Sequence, residues 1–134
     1  NKIFSNSIIC NKEYGIFSTL NSNNNFLLDN NIVSNGYGIY FRFSSNNTVE
    51  KNLIQDNFVG LEFNFFSNNN SIYKNTFKKN KESAYFEDSI TLSWDQNYWN
   101  RPRFLPKFIF GRTSSYLISL RLHMDYNPSL KPYS

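Results

Sequence analysis

The chain runs to 134 residues with a formal net charge of +4, 40% hydrophobic and 19% aromatic content, and a single cysteine. This is one domain's worth of polypeptide; one cysteine excludes an internal disulfide, and no run of 18 apolar residues supplies a membrane-spanning helix. Residues 1–100 carry 8 Lys/Arg against 9 Asp/Glu, whereas residues 101–134 carry 6 against 1, spread between prolines without the dense basic cluster expected of a nucleic-acid binder.

In chain order, the first unit is Ile3-Phe4-Ser5-Asn6-Ser7-Ile8-Ile9-Cys10-Asn11. Its spacing returns in Leu27-Leu28-Asp29-Asn30-Asn31-Ile32-Val33-Ser34-Asn35, in Val49-Glu50-Lys51-Asn52-Leu53-Ile54-Gln55-Asp56-Asn57, and in Ile72-Tyr73-Lys74-Asn75-Thr76-Phe77-Lys78-Lys79-Asn80. Asn30, Asn52 and Asn75 stand 22 and 23 residues apart, each followed five residues later by Asn35, Asn57 and Asn80. A fixed period of this length marks one structural unit copied and stacked.

After each pair of asparagines comes Gly15-Ile16, Gly38-Ile39 or Gly60-Leu61, then alternation: Ile39/Phe41/Phe43 and Leu61/Phe63/Phe65, with Tyr40, Arg42, Glu62 and Asn64 between them. Period two sends alternate side chains to opposite faces of a strand. Units close on Ser22-Asn23-Asn24, Ser45-Asn46-Asn47 and Ser67-Asn68-Asn69. Apolar runs are too short for helices, and asparagine at this density competes with helical backbone bonding.

The expectation is an all-β fold: a right-handed, single-stranded parallel β-helix of about four rungs over residues 1–100, with an irregular basic cap over residues 101–134. Leu27, Ile32, Ile39, Phe41 and their equivalents form the interior. Asn30, Asn52 and Asn75, and Asn35, Asn57 and Asn80, form ladders in the bends. The glycines supply the sharp bend before the third strand. A leucine-rich horseshoe has a similar period but carries one asparagine ladder per unit and lacks the Gly-apolar step. The chain opens partway into a repeat, so earlier rungs of the same protein are expected to precede it. In the cap, Phe108-Ile109-Phe110 and Tyr116–Leu122 are read as short strands or a packing segment over the last rung.

These motifs, Asn-x-Ile/Leu-x-x-Asn with Gly-Ile/Leu and Ser-Asn-Asn, resemble the repeats of the NosD-like family, whose architecture is shared with pectate lyases. The resemblance covers about residues 3–100. Asn97-Tyr98-Trp99-Asn100 is similar to the Asn-Tyr-Trp that ends such arrays, and Arg101–Lys107 and Asp125-Tyr126-Asn127-Pro128 are similar to tails of surface-associated β-helix proteins. The resemblance implies an extracellular, cell-surface or periplasmic location and a role in copper handling. Copper(I) calls for sulfur and imidazole ligands. Cys10 lies at the opposite end of the sequence from His123-Met124, so no metal site and no cofactor is assigned.

Lyases and hydrolases on this scaffold need grouped outward carboxylates. Asp29 aligns with Lys51 and Lys74, Asp56 with Ser34 and Lys79, and Glu62 with Tyr40 and Phe17, so no acid stacks on another and no catalytic residue is assigned. Glu87, Asp88 and Asp95 lie where the register degrades. The outward columns Phe17/Tyr40/Glu62 and Thr19/Arg42/Asn64 combine an aromatic, amides and a cation, a set that suits a sugar ring. Tyr40, Arg42, Glu62 and Asn64 are therefore the candidate platform for a polysaccharide or cell-surface glycan. The expected role is a non-catalytic scaffold or carbohydrate-binding surface, with a polysaccharide lyase or glycoside hydrolase as the alternative. Sequons at Asn46 and Asn69 fall in expected turns.

Overall fold

Five turns of chain each contribute three short strands, and a final strand folds back over the last turn. A computed structural model describes residues 1–114 and 119–133. The first turn holds β1 (Lys2–Phe4), β2 (Ser7–Ile9) and β3 (Tyr14–Ser18); the second holds β4 (Phe26–Leu28), β5 (Asn31–Val33) and β6 (Tyr37–Arg42). The third holds β7 (Thr48–Glu50), β8 (Leu53–Gln55) and β9 (Val59–Asn64), and the fourth β10 (Asn70–Tyr73), β11 (Thr76–Lys78) and β12 (Glu82–Glu87). The fifth holds β13 (Leu92–Asp95), β14 (Tyr98–Trp99) and β15 (Lys107–Thr113), and β16 (Ser119–Asp125) follows.

Equivalent strands pair in parallel from turn to turn, as in Leu27↔Val49, Ile32↔Ile54 and Ile39↔Leu61. The fold is a parallel β-helix with five rungs rather than about four, because β15 completes a rung beyond the last asparagine repeat. Strand β16 runs antiparallel to β15 and meets β13 at Trp94↔Asp125. This joins the first and third columns into one 11-stranded sheet, while the second column stays a 5-stranded sheet. Of the segment read as Tyr116–Leu122, residues 116–118 lie outside the described residues.

The interior is filled by like side chains in columns. Leu27, Ile32, Ile39 and Phe41 are buried as expected. Phe41 and Phe63 stack at 5.0 Å and 5° between ring planes, and Phe77 and Trp99 at 4.4 Å and 5°. Offset parallel stacking of this kind adds to the burial of the rings themselves. The phenyl column ends at Phe86, where Gly111 leaves room and the His123 ring packs edge-on at 4.4 Å.

Both asparagine ladders form. Asn52 shows the pattern: its backbone N–H and its Nδ2 both donate to Asn75 Oδ1, at 2.9 and 3.0 Å, while Nδ2 also donates to Leu27 O at 2.8 Å. The first ladder runs Asn6, Asn30, Asn52, Asn75, Asn97. The second runs Asn11, Asn35, Asn57, Asn80. The residue before each rung of the first ladder (Ser5, Asp29, Lys51, Lys74, Gln96) takes a left-handed φ of 53–57°, and before the second (Cys10, Ser34, Asp56, Lys79) 52–58°. An L-residue there costs roughly 1–2 kcal/mol, which the two or three amide bonds of each rung, about 1 kcal/mol apiece, offset.

Two expectations change. No glycine among the described residues has a positive φ. Gly38 and Gly60 sit inside strands, where a Cβ at Gly38 would come within 2.5 Å of Gly60 O and 3.1 Å of Asn57 Nδ2. These glycines let the second ladder press against the third column; they do not make the bend. The inward alternation also stops at Phe41 and Phe63. Phe43 and Phe65 take φ of 49° and 51°, turn the corner and stack on each other outside at 5.3 Å.

Candidate functional site

The outward face of the third column carries a group of rings and polar side chains that the core leaves free. Period-two alternation fixes it: residues between the inward Ile39, Phe41, Leu61 and Phe63 point out. Register places Phe17, Tyr40, Glu62 and Tyr85 in one column and Arg42 beside Asn64 in the next. Farther along, Glu87 pairs with Arg112, whose guanidinium lies 3.1 Å from its carboxylate.

Three of the four sequence-derived residues meet. Asn64 Nδ2 donates to the Tyr40 hydroxyl at 2.8 Å and to Glu62 Oε1 at 2.7 Å. Asn64 is only 7% exposed and Glu62 only 8%, despite facing outward. The Asn64 Oδ1 is buried and has no hydrogen-bond partner. Arg42 turns aside: its guanidinium lies 5.5 Å from the Phe43 ring centroid and 5.0 Å from that of Phe65. Contacts of this kind hold a cation by the ring quadrupole.

Burial pushes the Glu62 carboxyl above its ordinary value; the Asn64 hydrogen bond opposes this, the Glu87 charge adds to it, and Arg112 opposes it. Burial also raises the Tyr40 and Tyr37 phenols, with the Asn64 hydrogen bond pulling Tyr40 back.

The sequence reading missed the aromatic surround. Tyr14 stacks on Phe17 at 4.8 Å and on Tyr37 at 5.2 Å, and Tyr37 meets Tyr40 edge-on at 5.3 Å. The available signal was Tyr14 and Tyr37, each just before the conserved-spacing glycine, 23 residues apart. Tyr85 was hidden by the loss of asparagines around it, and the same loss left Glu87 named but without a register. The acids considered together divide: Glu87 lies on β12, Asp88 at the following corner accepts from Ser114 N at 2.7 Å, and Asp95 ends β13, accepting from Asn127 Nδ2 at 3.0 Å.

The soft-ligand candidates are far apart in the winding. Cys10 is exposed at a first-rung corner, whereas His123 lies on β16 with Nε2 3.3 Å from Ser89 O. Burial lowers the His123 imidazole below its ordinary value, against the pull of that carbonyl. Among the described residues no group of three or more His, Cys, Asp and Glu is placed to hold a metal ion. No helix of the described residues is long and apolar enough to cross a membrane.

The family model described as periplasmic copper-binding protein (NosD) matches residues 1–113. No curated protein and no solved structure matches the chain.

Proposed function

We propose, from the premise that the chain belongs to the family of the periplasmic copper-binding protein NosD, that it works outside the cytoplasm as a non-catalytic, carbohydrate-binding β-helix surface. The observation that carries this reading is the Tyr40–Asn64–Glu62 set beside the rings of Tyr14, Phe17 and Tyr37. Apolar faces of sugars stack on rings, and hydroxyls donate to amide and carboxylate oxygens. The exposed Phe17 ring and the half-buried Tyr40 ring are the faces open to a sugar, and the nearly buried Asn64, donating to the Tyr40 hydroxyl at 2.8 Å, holds that phenol in place. A glycan attached to a cell envelope is the partner that suits this platform.

The copper in the family's description does not fit the donors here. Copper(I) takes thiolate, thioether and imidazole, and the chain has one Cys, one Met and one His. Cys10 lies in the first rung and His123 and Met124 lie on β16, one strand beyond the fifth; five strand spacings of about 4.8 Å place the strands that carry them roughly 24 Å apart. A copper role would need ligands beyond this set.

Affinity electrophoresis through gels containing neutral or acidic soluble polysaccharides tests the platform. Retardation of the protein by at least one polymer, weakened about ten-fold by Tyr40→Ala, is the expected result. Equal mobility with and without every polymer counts against the reading, as does unchanged retardation of the variant.

A second reading rests on Glu62 and Glu87. A carboxyl raised by burial within electrostatic reach of one paired with Arg112 is the asymmetry an acid/base couple uses in glycoside cleavage. Release of reducing ends or unsaturated products, abolished by Glu62→Gln, would favour it over simple binding.

A further inference from the structure

The segment joining β14 to β15 reads Arg101-Pro102-Arg103-Phe104-Leu105-Pro106-Lys107, and it does not pack like the corners below it. Phe104 is 87% exposed and Leu105 77%, side by side at the tip. Two prolines restrict this short span, so the pair is presented with little conformational freedom to lose. Singly exposed apolar residues are ordinary, but an aromatic and a leucine at the tip of one loop, with cations on both sides, are a paired feature.

The cations are set against one another. Burial, together with the neighbouring positive charge of Arg103, holds the Lys107 ammonium below its ordinary value; Glu82 is the carboxylate that opposes this. The Arg103 Nε is buried with no hydrogen-bond partner. Like charges held together at one corner are stabilised by an anion that supplies oxygens. Lys81, one rung earlier at the same corner, adds a fourth cation, its ammonium 4.4 Å from the Phe58 ring centroid. Segment 101–134 as a whole carries 6 Lys/Arg and one acid.

We propose that the 101–107 loop is a peripheral membrane anchor, in which Phe104 and Leu105 enter the boundary between headgroups and acyl chains while Arg101, Arg103 and Lys107 engage the phosphates of anionic lipids. The charge complementarity selects this occupant over a second copy of the chain, whose same loop would bring cation against cation. The anchor is independent of the ring platform: it sits at the corner between the second and third columns, so the outward face of the third column stays available while the loop is engaged.

Flotation of the protein with phosphatidylcholine vesicles, with and without phosphatidylglycerol, tests the anchor. Binding to the anionic vesicles is expected to exceed binding to the neutral ones by on the order of a hundred-fold, since each basic residue at an anionic surface is worth roughly five-fold. It should weaken as salt is added. The double variant Phe104→Ser/Leu105→Ser alters only exposed side chains and is expected to lose about ten-fold or more. Tyr40→Ala is expected to bind vesicles like the unaltered chain, which separates this anchor from glycan recognition. Equal partitioning to both vesicle types, no partitioning at low salt, or an unaffected double variant overturns the anchor. So does concentration-dependent self-association through the loop, seen by sedimentation velocity, without vesicle binding.

Discussion

Asp125 receives both the backbone N–H and the Nδ2 of Asn97 on its Oδ2, at 2.9 and 3.0 Å, in the position where the next asparagine of the ladder would stand. The same oxygen accepts the Trp99 Nε1–H at 3.0 Å, and Oδ1 accepts from Asn127 N at 3.2 Å. A ladder in which every rung donates toward the C-terminus needs a terminal group that only accepts. A carboxylate on β16 is that group, and it is fully buried.

Asp125→Ala leaves the backbone N–H groups of Asn97 and Asn127 and the Trp99 indole N–H without a partner, while Asn97 Nδ2 keeps its bond to Ile72 O. We expect a loss of about 3 kcal/mol or more from these orphaned groups. Asp125→Asn keeps the Oδ2-equivalent acceptor and is expected to lose only about 1 kcal/mol. Urea unfolding followed by tryptophan fluorescence measures both, since Trp94 and Trp99 adjoin the site; similar losses for the two variants would contradict the terminal-acceptor role.

Gly60→Ala introduces a Cβ 2.5 Å from Ser83 O and 3.2 Å from Asn80 Nδ2. Backbone on one side and ladder on the other cannot both move, so a loss of roughly 2–4 kcal/mol is expected from overpacking. Thermal unfolding reads it. A neutral outcome would mean that the second ladder is looser than it stands here.

Ser34→Gly is expected to stabilise the fold. Ser34 is exposed with a φ of 58°, a region glycine enters freely. Relief of about 1–2 kcal/mol of backbone strain exceeds the roughly 0.5–1 kcal/mol that glycine adds to the unfolded chain's entropy. A raised urea midpoint at unchanged slope is the expected observation.

Glu62 makes stability depend on pH. Its folded-state pKa is raised, mainly by burial. A raised carboxyl favours the protonated folded state, so its contribution is fully present below the unfolded value near 4.5 and is lost as pH rises through the higher folded value. Glu62→Gln is therefore expected to raise the melting midpoint at neutral pH and to make little difference below the unfolded value. Melting curves across that range check the sign; a lowered neutral-pH midpoint would show that the carboxylate is held for its charge.

The winding, the two ladders and the interior columns were legible because Asn30, Asn52 and Asn75 repeat in step with their apolar neighbours. A third ladder, Asn25 to Asn47 to Asn70, escaped notice, although Nδ2 of each of the first two donates to the next at 3.0 and 3.1 Å. The closing Ser-Asn-Asn triplets slip by one residue between units, so their third positions set Asn24 and Asn69 against Asn47, whereas the ladder joins Asn25, Asn47 and Asn70. The better guide was the column Ser44, Ser67 and Ser89, in which the Ser67 hydroxyl accepts from Ser44 N and the Ser89 hydroxyl from Ser67 N, both at 3.1 Å. The fifth rung was obscured for a different reason: Trp94 and Trp99 fill the columns held earlier by Ile72 and Phe77, and shape is conserved there while sequence is not. Tyr40, Glu62 and Asn64 were placed together by period two alone. The inaccessibility of Glu62 and Asn64 depends on rings contributed by other rungs, which no single repeat displays.

The one-way handing of amide hydrogens from coil to coil makes the length of this protein quantised. Excising or duplicating a complete coil between Asn30 and Asn75 rejoins the same donors to the same acceptors, while a deletion of a few residues shifts every later side chain off its column. Growth and shrinkage by whole coils is thus the mode of variation that leaves both ends of the stack chemically unchanged.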